Sequence, residues 1–187
     1  LRDVVVWDSE ALESKRDDVG WDEYRHRAGV SVACVIEAAT GLPTFFTAGD
    51  RAGYDLDALA ERLEAADEVV SYNGIHWDTP VLSETIMRPV LVHECDLYAH
   101  IRTALHGQRW PQGSWKLGRV ALDTIGVGKN GDGGVAPTLW REKQVGRLIT
   151  YCYVDTWITW KLWEFIRRHG FVLDPDGGHL EVNLYGT

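Results

Sequence analysis

The order of the apolar runs constrains this chain most. β-Branched runs come first: "RDVVVWD" (2–8), "GVSVACVIEA" (29–38) and "LPTFFTAG" (42–49), the last two joined by an "ATG" turn. Runs of this kind between turn residues read as strands, and their close succession predicts an antiparallel meander. Helical spacing takes over afterwards, in "DLDALAERLEAA" (55–66, with Asp55 able to cap it), at about 78–88, and in "LYAHIRTALHG" (97–107). It continues in "SWKLGRVALDTIG" (114–126, opened by Ser114 and closed by Gly126) and in a long stretch from about Glu142 to His169, stopped by Gly170. Two more strands, "DEVVSYNG" (67–74) and "PVLVHECD" (89–96), fall between helices, as parallel units require. The expectation is an α/β fold. Its mixed five-stranded sheet would have three antiparallel strands continued by parallel ones, with helices on its flanks. The tail "FVLDPDGGHLEVNLYG" predicts a small hairpin at about 171–185.

A length of 187 residues favours one domain, so 1–187 is read as a single unit. No apolar stretch approaches the roughly 20 residues a membrane span needs, and no secretory signal is recognisable, so no membrane partner is expected. Cys34, Cys95 and Cys152 are widely spaced and form no CxxC pair. That pattern argues against a disulfide framework or a cysteine zinc site and for a reducing cytoplasm. The net charge of −9 counts against a simple basic patch for duplex DNA or anionic membranes. It does not exclude a nucleic-acid enzyme, because a site for divalent cations must itself be rich in carboxylates.

Three short stretches carry chemistry. Asp8 and Glu10 lie two apart at the end of the first strand, where period-two geometry sends both to one face and Ser9 to the other. Alone, they also fit a strand that has reached solvent. "SYNGIHWDTPVL" (71–82) places an Asn-Gly turn after an apolar run and Asp78 four residues beyond the glycine. Its bland reading makes Asp78 a helix N-cap, with Pro80 in the first turn. "YCYVD" sets Tyr151 and Asp155 one helical turn apart on one face. Asp155 sits among Tyr153, Val154, Trp157, Ile158 and Trp160, which is too apolar for a casual surface charge. Together, Asp8, Glu10, Asp78 and Asp155 supply hard oxygen ligands suited to Mg²⁺ or Mn²⁺. Two such ions about 4 Å apart can promote attack at phosphorus and stabilise the leaving oxygen.

"WDSE", "YNGIHWD" and "YCYVD" resemble the three motifs of the DEDD (DnaQ-like) 3′–5′ exonucleases, in their tyrosine (DEDDy) subclass, which have a ribonuclease H-like fold. The sequence is especially similar to the proofreading domain of family B DNA polymerases and to free-standing relatives, over about residues 4–170. The resemblance implies a 3′–5′ exonuclease that hydrolyses phosphodiester bonds of single-stranded nucleic acid and releases 5′-mononucleotides, with DNA preferred. It implies that Asp8, Glu10, Asp78 and Asp155 hold two divalent metal ions and that Tyr151 positions the attacking water or the phosphate. Asn73, Trp77 and Ala11 would contact the substrate, and a replication or repair protein would be a fitting partner. There are departures: Ala11 stands where the family often has Thr, Ser9 where an aliphatic is usual, and Trp77 where Phe is usual. Ala11 lacks a hydroxyl that could touch the terminal nucleotide. Two alternatives stay open, an exoribonuclease of the same fold and a non-catalytic binding module in a replication or repair complex. The mark of the latter would be a lost carboxylate, and none is lost.

Other signals weigh less. "HECD" (93–96) lacks the second histidine of a zinc-protease helix, and Asp96 reads as a strand end that caps the next helix. "GKNGDGGVAP" (128–137) reads as a loop, and its "GKNGDGG" has no GK[ST] ending. Lys129, Lys116, Arg109 and Arg119 could line a strand path but read first as solvated surface. Trp157, Trp160 and Trp163 fall mostly on the buried side of the long helix, which leaves Trp110, Trp115 and Trp140 as stacking candidates.

Overall fold

The alternation of Val4 to Glu10 determines how the layers assemble. In the computed structural model, which describes residues 2–15, 17–47, 56–106, 115–129 and 134–185, these residues form the centre of the sheet. Strand β1 (Val4–Ala11) pairs antiparallel with β2 (Val30–Glu37), and β2 pairs antiparallel with β3 (Pro43–Thr47). On its other side β1 pairs parallel with β4 (Glu68–Ser71), which pairs parallel with β5 (Glu94–Asp96). The order β3-β2-β1-β4-β5 is the mixed five-stranded sheet that the apolar runs predict.

Each face of the sheet buries a different set of helices. Val5 and Trp7 face α1 (Trp21–Ala28), α2 (Leu56–Ala65) and α3 (Asp78–Thr85) through Tyr24, Leu59, Leu63 and Leu82. Val6 and Val70 face the opposite layer of α4 (Leu97–Ala104), α5 (Leu117–Ile125) and α7 (Val145–His169), through Ile101, Val120, Leu162 and Ile166. Short α6 (Ala136–Arg141) joins this layer and covers Val32, Cys34 and Ile36 with α7. Each fully buried Leu or Ile contributes ~1.5–3 kcal/mol, which is what allows buried carboxylates at the strand ends. After α7, β6 (Phe171–Leu173) and β7 (His179–Glu181) form a separate antiparallel hairpin. Among the described residues, no helix is long and apolar enough to cross a membrane.

Three local departures have physical reasons. Strand β5 is shorter than the predicted 89–96. Pro89 has no N–H, the Val90 amide donates to Ser83 Oγ, and the Leu91 amide donates to Glu64 Oε1, so these residues join no ladder. Helix α1 has no counterpart in the sequence reading because only Tyr24 and Ala28 of its eight residues are buried, too few to mark a period. Helix α6 occupies the end of the segment read as a glycine-rich loop, and α7 begins at Val145 rather than near Glu142. Asp55, Arg109, Trp110 and Ser114, with residues 130–133 of that loop, lie outside the described residues.

Candidate metal centre

The carboxyl end of β1 brings the first pair of acids to the α7 side of the sheet. Asp8 pairs with Cys34 of β2, and Glu10, 7% exposed, precedes a register shift between Glu10 and Ala11. The hydroxyl of Ser31 donates to the Glu10 carbonyl at 2.9 Å and steadies this irregular end. Ser9 points the other way, as period-two geometry requires. Its Oγ donates to Asp78 Oδ1 at 2.6 Å and its amide donates to the same oxygen at 3.2 Å. Asp78 is therefore no N-cap. It is the first residue of α3, Trp77 holds the cap position, and the carboxylate reaches over the strand end instead.

The Asn-Gly turn works in an unexpected way. Asn73, not the glycine, takes the left-handed conformation, with φ of 71°. Gly74 is needed for room: a Cβ there would collide with Glu94 Oε1 and lie 2.6 Å from Ser71 Cβ. Asp96 holds the turn from beneath, accepting from the amides of Asn73 at 2.8 Å and Ile75 at 3.3 Å. The same carboxylate caps α4 through the amides of Tyr98 and Ala99. Glu94 lies beside it and accepts from the hydroxyls of Ser71 at 2.6 Å and Thr79 at 2.8 Å.

Helix α7 supplies the third side. Cys152 packs against β1, and its thiol donates to the Asp8 carbonyl at 3.5 Å. Asp155, one turn beyond Tyr151, is 3% exposed and forms an ion pair with Lys129 through Oδ2. Its Oδ1 is buried without a hydrogen-bond partner, and so is the Tyr151 hydroxyl. The Lys129 ammonium also sits 5.1 Å from the centre of the Tyr151 ring.

The strand end, the turn and the helix enclose one cleft of about 470 Å³, with Cys152, Glu94 and Asp96 behind its lining. All of the sequence-predicted site residues line it: Asp8, Glu10, Ala11, Asn73, Trp77, Asp78, Tyr151 and Asp155. Lys129, Ser9 and Tyr72 join them, and an aromatic wall closes one side. Trp77 makes edge-to-face contact with Trp21 at 5.9 Å and lies 5.2 Å from Tyr24, while Trp21 is 67% exposed. Two of the expected stacking residues lie elsewhere. Trp140 packs against the core around Cys152, and Trp115 accepts a hydrogen bond from Tyr72 through its carbonyl.

Burial and mutual crowding set the electrostatics of the cleft. Burial, then Asp78, Glu10 and Asp155, pushes the Asp8 carboxyl well above its ordinary value. Burial and Asp155 do the same to Glu10. Burial raises Asp78 to about 6 against the pull of its Ser9 hydrogen bonds. Asp155 is raised by burial and lowered by Lys129. Acids crowded in this way ionise together only when positive charge lies among them. Ligand atoms of Asp8, Glu10 and Cys152 lie within 4.8 Å of one another, a group that could hold a metal ion. With Asp155 Oδ1 buried and unpartnered beside them, the donor set fits a divalent cation.

No family model matches the sequence, and no curated protein does. Among solved structures, 89% of the chain superposes on the family B DNA polymerase from the hyperthermophilic archaeon Pyrobaculum calidifontis, with a TM-score of 0.65 and 19% sequence identity. The fold is ribonuclease H-like. The chain spans about a quarter (25%) of that polymerase's length.

Lys129, a candidate to line a strand path that reads first as solvated surface, lines the cleft. Two neighbours of the site leave no mark along the chain: Glu94 falls within a strand alternation, and Trp21 lies in a polar stretch. The signal for Lys129 is the buried Asp155, which needs a cationic partner.

Proposed function

We propose that this chain is a metal-dependent 3′–5′ exonuclease of the DEDDy type, acting on single-stranded nucleic acid, with DNA preferred, and releasing 5′-mononucleotides. The observation that carries the reading is the meeting of four carboxylates and Tyr151, from a strand end, a turn and a late helix, in one cleft with an aromatic wall. Asp8, Glu10, Asp78 and Asp155 would hold two divalent ions, Mg²⁺ or Mn²⁺. Those ions would supply charge stabilisation at the phosphate and a water acidic enough to act at neutral pH.

The chain's own groups do the rest. Burial lifts the Tyr151 phenol to about 12, so it stays protonated and donates a hydrogen bond. Its hydroxyl, buried beside the Lys129 ammonium, would orient the water or a phosphate oxygen. Trp77 and Trp21 offer ring surface to a terminal base, and Asn73 lines the same side. Stacking of this kind tolerates any base and suits an unpaired end. A replication or repair protein fits such a chain as partner.

The test uses linear and circular single-stranded DNA, a 3′-phosphorylated oligomer and a matched RNA. Stepwise shortening of linear DNA from its 3′ end, blocked by the 3′-phosphate, is expected. Cleavage of circular DNA at the linear rate would make the chain an endonuclease, and faster RNA decay would reverse the sugar preference.

A further inference from the structure

Lys129 is a cationic side chain set among the acids of the cleft. It does not arrive there as the tip of a loose surface chain. Its backbone is pressed against the start of α5, where a Cβ on Gly118 would lie 2.8 Å from Lys129 Cβ and 3.4 Å from its amide nitrogen. The ammonium pairs with Asp155 Oδ2 and sits 5.1 Å from the Tyr151 ring centre, with about a quarter (23%) of the side chain exposed. The other oxygen of Asp155 is buried and has no hydrogen-bond partner.

We propose that Lys129 is the resident counter-ion of the metal-free cleft, and that a divalent cation and the Lys129 ammonium compete for Asp155. The inference rests on the reading of the cleft as a metal centre and adds to it a residue that sets its affinity. The physical argument is charge density. Asp8, Glu10, Asp78 and Asp155 cannot all ionise in a buried site without a cation, and Lys129 provides one charge against several. The ion pair with Asp155 Oδ2 and the position over the Tyr151 ring place that one charge where a metal would otherwise sit. A second cation approaching Asp155 meets like charge at short range, so Lys129 must withdraw from Asp155 for a metal to bind both of its oxygens. The lysine thus stabilises the fold before loading and weakens the first binding of metal.

The test measures Mn²⁺ affinity of the full chain by the electron paramagnetic resonance signal of the free ion, so it does not depend on turnover. Wild type is compared with Lys129→Met, Lys129→Gln and Asp8→Ala. Both lysine variants should bind Mn²⁺ at least tenfold more tightly than wild type and melt at lower temperature without metal. Lys129→Gln keeps a polar partner for Asp155, so it serves if Lys129→Met fails to fold. Lysine variants that bind Mn²⁺ no more tightly than wild type, with Asp8→Ala binding none, would overturn the competition and leave the metal centre standing. Absence of Mn²⁺ binding in every protein would overturn both.

Discussion

At the scale of single residues, Tyr151 and Asp155 share a helix face but do different work. On the proposed reading the phenol would contribute one positioning hydrogen bond, whose loss should cost about 1–3 kcal/mol of barrier, or roughly ten- to a hundredfold in rate. On the same reading Asp155 would hold cations, so its loss should remove them. Tyr151→Phe should therefore be slow but measurable in single-turnover hydrolysis, with Mn²⁺ binding retained, and Asp155→Ala should be close to inactive. Full activity in Tyr151→Phe with mild impairment in Asp155→Ala would reduce the pair to packing. Trp21 gives a second residue-scale expectation. It is 67% exposed beside the cleft, edge-on to Trp77 and Tyr24, with the Lys15 ammonium 5.2 Å from its ring centre. Trp21→Ala should weaken single-stranded DNA binding by about 1–3 kcal/mol, measured by fluorescence anisotropy, while the melting temperature hardly moves.

At the scale of elements, the β4–α3 turn is where small geometry matters most. Gly74 sits against Glu94 Oε1 and Ser71, so Gly74→Ala should overpack the turn at a cost of about 1–3 kcal/mol. A chain of this size loses roughly 2–4 °C in melting temperature per kcal/mol, and calorimetry can read that change. Asp78 rides on the same turn, so a cleft that kept its geometry despite the clash would contradict this account. Much of the element order was legible in the sequence, because β-branched runs and long helical periods survive in any context. The three motifs also lay on the elements expected of them. What was not legible came from tertiary demand: Asn73 taking the left-handed position, Ser9 rather than a cap claiming Asp78, and α1 held by only two buried residues. None of these leaves a pattern along the chain.

At the scale of the whole molecule, a net charge of −9 coexists with acids buried at the cleft and beneath it. Glu94 shows what this does to stability. Burial lifts its carboxyl from 4.5 to about 7, against the hydrogen bonds from Ser71 and Thr79. A raised native pKa means that the protonated form is the one folding favours. The stability it contributes is fully present below about 4.5 and is lost as pH rises through about 7. Glu94→Gln should remove that share, so the melting temperature of wild type should fall relative to the variant between pH 5 and pH 8, by roughly the same protocol at each step. A constant difference across that range would mean Glu94 does not titrate there.

The central claim, that the four-carboxylate cleft hydrolyses nucleic acid with divalent cations, is met most directly by one assay. A 5′-labelled single-stranded DNA oligomer is incubated with wild type and with Asp8→Ala, in Mn²⁺ and in EDTA, and the products are resolved by length and identity. The account predicts a ladder shortening from the 3′ end and nucleoside 5′-monophosphates, for wild type in Mn²⁺ alone. Shortening that persists in EDTA, equal activity in Asp8→Ala, or an intact oligomer in Mn²⁺ would contradict it.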